Sequence, residues 1–275
     1  MTSLVAGLAA TAALATAAFA ALWAASLRQR NASIVDVYWG PGFAAIAALA
    51  LWLSSERGAR SALLLGMVAL WGLRLGIHLA WRNRGMGEDP RYAAMRRRYG
   101  ARFGRVSLVT VFALQAALSW AISLPLQVAL LRPGTAALGA LDALGVALFA
   151  TGLGFEAVGD WQLARFRAQP QNRGRVLDRG LWRYTRHPNY FGDSLAWWGM
   201  FCVAASTPLG PWTAVSPALM TFLLLRVSGV PLLERSLART RPGYADYVAR
   251  TSAFVPLPPR RSPTPGERGA SFDRD

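Results

Sequence analysis

The sequence contains no lysine: all 30 of its Lys/Arg side chains are arginine. That absence excludes a Schiff-base mechanism and a lysine general base. There is one cysteine, Cys202, inside an apolar run, so neither a disulfide framework nor a cysteine-based metal site can form. The two histidines, His78 and His187, stand in no HExxH or Cys/His spacing, and no metal site is expected. Charge is scarce too. Only 16% of the 275 residues are charged, against 53% hydrophobic, which is too apolar for an ordinary soluble domain.

What the sequence has instead is long apolar runs. Residues 4–27 carry no charge, and similar runs occupy 37–54, 61–81, 106–131, 135–155, 190–207 and 212–233. Each is near the ~20 residues that cross a bilayer as a helix. Nothing basic precedes the first run, as a cleaved signal would require, so it is expected to be a retained span. The prediction is an all-α polytopic membrane protein of about seven transmembrane helices.

The arginines give the orientation. Eight lie between 82 and 105, seven between 165 and 186, and nine from Arg226 onward, whereas the alternate loops hold only Arg57, Arg60 and Arg132. The positive-inside rule then places the N-terminus outside and the C-terminus in the cytoplasm, in the inner membrane. A formal charge of +16 is thereby ascribed to topology and anionic membrane lipid, with no nucleic-acid partner expected. One helical membrane domain is expected over 1–255. The Pro-, Arg- and Ser-rich 256–275 reads as a disordered tail.

Polar groups at membrane depth are costly and mark cavities. Arg74 and His78 stand four apart in WGLRLGIHLAW. Arg226 lies in FLLLRVSGVPLLE, with Glu234 eight residues on and on the same face of one helix. Asp36 and Tyr38 begin the second run in SIVDVYWGPGF. Glu156, Asp160 and Arg167 share a face of EAVGDWQLARFRAQ. Arg74, Arg226, Glu156 and Asp160 all fall toward the cytoplasmic half, as the lining of one polar cavity would.

The stretch RYTRHPNYFGDSLAWWG, 183–199, concentrates such groups at the mouth of an apolar helix. Pro188 suits a first helical turn. Arg186, His187 and the free N–H groups there form an anion site. Asn189 and Asp193, one turn apart, suit amide or hydroxyl groups, and Tyr190 offers a stacking face. The stretch reads as the rim of a cofactor pocket open to the cytoplasm.

GLWRYTRHPNYFGD, with DWQLARFR before it and VPLLERSLARTRPGYADYVARTSAFVP after, resembles the C-terminal domain of the steroid 5α-reductase family, a region shared with sterol Δ14- and Δ7-reductases. SIVDVYWGPGF and WGLRLGIHLAWRNRGMGEDPRY look like a bacterial branch of it, and the resemblance covers about 33–257. It implies a seven-helix fold that binds NADPH through its C-terminal half, about 156–255, and reduces a conjugated C=C bond in an apolar lipid-like substrate, whether steroid-like, isoprenoid or fatty acyl. Asp160, Arg167, Asn189 and Arg226 match the family's cofactor contacts, Asp193 stands where an acidic residue, often Glu, is usual, and Arg84 resembles another contact. Arg74, Arg186, His187, Tyr190 and Glu234 are assigned to the same site. Asp36 stands near the family's acidic substrate-side position. The stretch VALWGLRLG has Trp71 and no tyrosine, and Val230 stands where the steroid enzymes carry histidine. The acid is then Tyr38 or His78, with Asp36 orienting it.

A second resemblance leads to another reaction. Membrane methyltransferases resembling isoprenylcysteine carboxyl methyltransferase also have RYxRHPxY before a span, then a Glu-containing helix and a Tyr-rich, VP-terminated tail. That would imply S-adenosylmethionine, with its carboxylate on arginine and His187. GEDPRY, DVYWG and the DWQLARFR helix favour the reductase. A lipid-binding or scaffold role would need none of the intramembrane Arg and His.

Overall fold

Ser3 opens the first helix. Its hydroxyl accepts the amide of Ala6 at 3.1 Å, satisfying a donor that the helix cannot, and α1 (Leu4–Gln29) follows. The computed structural model describes residues 3–134, 137–227 and 229–260, apart from the side chains at 231, 232, 235 and 236. After α1 come α2 (Ile34–Leu53) and α3 (Ala59–Asn83), which pack closely. Gly40 and Gly72 permit this, because a Cβ on either would collide with the other's carbonyl.

Pro90–Ile122 is a contiguous run of 33 residues in helical turns, bent at Gly100, whose φ is 48 and ψ −123. It comprises α4 (Pro90–Tyr99), a 3₁₀ turn, α5 (Phe103–Ser107), a π-helical turn and α6 (Leu114–Ile122). Asp89 caps it by accepting the Arg91 amide at 2.9 Å. Then follow α7 (Leu124–Leu131), α8 (Ala140–Ala168), α9 (Pro188–Ala205), α10 (Val215–Phe222), α11 (Val230–Thr240) and α12 (Tyr244–Arg250).

The protein is an all-α, polytopic membrane protein. Among the described residues, five helical runs are long and apolar enough to cross a membrane: α1, α2, α3, Pro90–Ile122 and α8. Two of the seven expected spans differ. The sixth is α9, which has 18 residues but opens on Asn189, Tyr190 and Asp193. The seventh is not one helix. A π-helical turn, Leu223–Val227, ends α10, and α11 restarts at Val230 with a proline in its first turn. Gly229, outside helical geometry at φ −91 and ψ −99, marks the break, and a proline there cannot donate to the preceding turn. Arg226 and Glu234 therefore do not share a helix face, contrary to the continuous-helix expectation.

The chain forms two compact units, Met1–Phe149 with Trp198–Leu219, and Ala150–Trp197 with Met220–Asp275. In the first unit, the Ala32 amide donates to Glu88 at 2.8 Å and the Asp89 amide to Ser33 Oγ at 2.7 Å. These bonds pin the α1–α2 turn to the α3–α4 connection. At the N-terminal ends of α3 and α8, Arg60 holds Asp142 at 2.8 and 2.9 Å and the Ala137 carbonyl at 2.8 Å. Arg28, Arg30 and the eight arginines of 82–105 thus belong to one end of this unit, and Arg57, Arg60 and Arg132 to the other.

In the second unit α8 and α9 touch through glycine. A Cβ on Gly192 would fall 2.6 Å from the Glu156 amide nitrogen. Gly192→Ala gains about 1 kcal/mol of helix propensity, but the clash is with backbone and cannot be relieved by a rotamer change. A net loss of about 1–3 kcal/mol is expected, read as a lower unfolding midpoint in detergent. The C-terminal segment straps this unit. Thr185 bridges Ser252, Thr185 Oγ1 donates to the Phe254 carbonyl at 2.7 Å, and the Leu257 amide donates to Tyr184 at 3.0 Å. The Arg260 amide reaches the Arg250 carbonyl at 2.8 Å, so 256–260, at the head of the expected tail, are hydrogen-bonded. The remainder of that tail, 261–275, lies outside the described residues.

Candidate functional site

The strap fixes the segment that leads into α9. The Arg186 amide donates to the Ser252 carbonyl at 2.9 Å, and Pro188 begins the helix as its sequence position predicts. Pro188 rests on α8 at Gly159, whose carbonyl accepts the Trp182 indole N–H at 3.1 Å.

Two side chains from this segment converge on Glu234 of α11. Arg186 Nε donates to Glu234 Oε1 at 2.7 Å, and His187 Nε2 lies 3.0 Å from the same oxygen. The His187 ring is 1% exposed and stacks on Tyr190, with centroids 5.3 Å apart and planes 5° from parallel. Its Nδ1 has no hydrogen-bond partner among the described residues. Burial pushes the Glu234 carboxyl up, but the hydrogen bonds from His187 and Arg186 and the Arg186 charge outweigh it and hold the group at about 2. Arg186 Nη1 also donates to the carbonyls of Thr251 at 2.6 Å and Val248 at 3.2 Å. Its guanidinium is thus mainly engaged within the chain.

Beside this cluster lies a cavity of about 200 Å³. Its walls are apolar and aromatic: Leu163, Phe166, Leu177, Trp182, Leu233, Leu237, Tyr244 and Tyr247. The Tyr247 hydroxyl donates to the Trp182 carbonyl, and burial holds the Tyr244 phenol up at about 12, so neither tyrosine is acidic here. Arg167, Arg173, Arg175, Arg186 and Arg241 also line it. Gly174, at φ 80, turns the chain so that both of its arginine neighbours reach the cavity. Asn172 ties that loop back, donating to the Phe166 carbonyl at 2.9 Å. The Arg173, Arg175 and Arg241 guanidinium groups have no hydrogen-bond or ion-pair partner among the described residues. Three such cations in an aromatic-walled cavity suit a flat ligand bearing phosphate.

Of the residues expected from sequence, Arg186, His187, Tyr190 and Glu234 come together, and Arg167 lines the adjoining cavity. Asp160 and Asn189 meet at 3.2 Å between α8 and α9. Asp193 is half-buried on α9, and Arg226 is exposed on the π-helical turn.

Asp36, Tyr38, Arg74, His78 and Arg84 belong to the first unit. Arg74 and His78 are half-buried one turn apart on α3, His78 near Trp81 at 6.0 Å, and Arg84 is exposed at that helix's end. Tyr38 packs edge-on to Phe19 at 5.5 Å. Asp36 accepts the Tyr92 hydroxyl at 2.8 Å and Arg91 at 3.1 Å. Tyr92 is 8% exposed, and Gln115 links it onward to the Trp39 indole. Arg96 holds the neighbouring Glu88 carboxyl below the usual range.

Sequence reasoning missed Tyr92, Arg173, Arg175 and Arg241. Tyr92 ends GEDPRY, but its partner is 56 positions away. NRGR and TRPGY carried the only local signal for the other three, an arginine within two residues of a turn glycine. Among the described residues no group of three or more His, Cys, Asp or Glu is placed to hold a metal.

These features define a polytopic helical membrane protein with an arginine-lined, aromatic-walled pocket next to an Arg–Glu–His cluster. The chain belongs to the DUF1295 family: the model of that family, described as a protein of unknown function, matches residues 22–251. No curated protein matches the chain, and no solved structure does.

Proposed function

We propose that the protein is an NADPH-dependent reductase of a conjugated C=C bond in an apolar, lipid-like substrate. The observation that carries this reading is the cavity of the second unit, lined by Arg173, Arg175 and Arg241 together with Trp182 and Tyr244. Its donors suit phosphate and its walls suit a purine. At about 200 Å³ it takes one end of a dinucleotide rather than the whole. Asn189, held by Asp160, and the His187–Tyr190 stack are assigned to the rest of the cofactor.

Bound NADPH supplies a hydride to the β-carbon of the enone. The chain's own residues hold the cofactor, exclude water and deliver a proton. In the first unit Asp36, the residue expected to orient the acid, accepts a hydrogen bond from Tyr92 at 2.8 Å. The arginine-rich end of the first unit is assigned to the cytoplasm, in the inner membrane, with the N-terminus outside.

Methyl transfer is the competing reading, favoured by the flat face of the His187–Tyr190 stack, which suits the adenine of S-adenosylmethionine. One titration separates the two. Purified protein is titrated in detergent with NADPH, NADH and S-adenosylmethionine, following tryptophan fluorescence. Saturable NADPH binding, weakened at least tenfold by the joint R173Q/R175Q/R241Q change, is expected. Binding of S-adenosylmethionine alone would overturn the reductase reading.

A further inference from the structure

Several arginines of the described structure are held by carboxylates or line the cavity. Arg60 holds Asp142, Arg186 holds Glu234, and Arg250 holds Asp178. Arg173, Arg175 and Arg241 line the cavity. On the segment after α3, Arg91 binds Asp36 and Asp89, and Arg96 binds Glu88. Those bonds engage both acids of that segment. Arg97, Arg98, Arg102 and Arg105 follow, all exposed, with no carboxylate partner among the described residues. Only Arg98 has a neighbour of its own, the Tyr99 ring at 5.4 Å.

Their depth follows from the run Pro90–Ile122, which carries them. The apolar part of the run begins at Val106, and Arg105 immediately precedes it. Gly100, at φ 48 and ψ −123, turns the chain between α4 and that apolar part, and the Tyr92 hydroxyl lies 3.5 Å from Gln115, so α4 folds back along it. Arg97, Arg98, Arg102 and Arg105 flank that bend, next to where the apolar stretch starts. Trp81, 59% exposed at the end of α3, belongs to the same end of this unit and is the residue type that sits at headgroup level. Four uncompensated guanidinium groups are thus placed among the headgroups, where bidentate contact with phosphate is available.

We infer that the exposed face of α4 and α5 carrying Arg97, Arg98, Arg102 and Arg105 binds the headgroups of anionic phospholipids. This does not depend on the reaction the protein catalyses. Zwitterionic headgroups also offer phosphate, but their own cation competes with arginine for it. The surface therefore selects net-negative lipid, and added salt weakens the selection.

The test uses the full chain in detergent, exposed to equal amounts of phosphatidylglycerol and phosphatidylcholine, with retained lipid identified by native mass spectrometry. The expected result is a preference for phosphatidylglycerol on the order of tenfold, falling toward parity in R97Q/R98Q/R102Q/R105Q and surviving the corresponding fourfold lysine change. If the glutamine variant does not fold, raising salt on the unaltered protein reads the same charge dependence. Equal retention of the two lipids, a preference unchanged by the glutamine variant, or one indifferent to salt overturns the inference. Displacement of the lipid by inorganic phosphate at matched concentration does so too, since the site would then take free phosphate.

Discussion

Glu234→Ala is expected to cost the protein about 3 kcal/mol, the low end of the ~3–5 kcal/mol lost when one partner of a buried ion pair is removed. The low end applies because 23% of the Glu234 side chain still meets water, against 10% for Arg186. The change leaves a buried guanidinium without its anion and removes the one acceptor shared by Arg186 and His187. It also frees the segment that starts α9, so ligand binding in the second unit should fall together with stability. Glu234→Gln, which keeps an acceptor but not the charge, is expected to lose less. Unfolding midpoints of the three proteins in detergent check the order.

The same carboxylate sets a pH dependence. Its folded-state value, about 2, lies below its ordinary 4.5, so its ionised form stabilises the fold. That stabilisation is fully present above about 4.5 and is lost as pH falls toward 2. A pH series should show this acid-side slope in the unaltered protein and not in Glu234→Gln. An identical slope in both would place the acid sensitivity elsewhere.

Arg60→Ala is expected to cost about 3–5 kcal/mol. Arg60 and Asp142 form a two-pronged pair, with side chains 6% and 4% exposed, that joins the N-terminal ends of α3 and α8. Truncation leaves Asp142 with the Gly139 amide, at 2.8 Å, as the principal remaining donor. Replacing both by apolar residues, Arg60→Met with Asp142→Leu, should recover most of the loss, because the desolvation of both charges disappears with the pair. A double variant as unstable as the single one would show that the guanidinium's bond to Ala137, not the pair, carries the contribution.

Much of this was legible in the sequence because membrane helices announce themselves one at a time. Five of the seven apolar runs correspond to long helices, and Pro188 fixed the start of α9 correctly. The last run misled because hydrophobicity continues through 223–233 while the backbone does not. Gly229 and the proline of α11 lie within that expected span, at the point where one helix ends and the next starts. The site was legible by residue type and not by pairing. Arg186 and Glu234 were both candidates, yet their contact joins positions 48 apart. That the Tyr92 hydroxyl meets Asp36 was not visible, because nothing local reveals a contact across 56 positions. Arg173, Arg175 and Arg241 were absorbed into a charge bias that also explains ordinary topology. Only the fold of the 166–175 loop, with its turn at Gly174, sets Arg173 and Arg175 in an aromatic-walled cavity.

The most direct test of the central claim is hydride transfer itself. The purified protein, in detergent supplemented with lipid, is given NADPH deuterated at the transferable position of its nicotinamide and a panel of apolar enones. The products are then weighed by mass spectrometry. The expected result is a saturated product carrying one deuterium, lost with R173Q/R175Q/R241Q. An enone panel that stays unreduced, while labelled S-adenosylmethionine transfers its methyl group to a lipid acceptor, would contradict it.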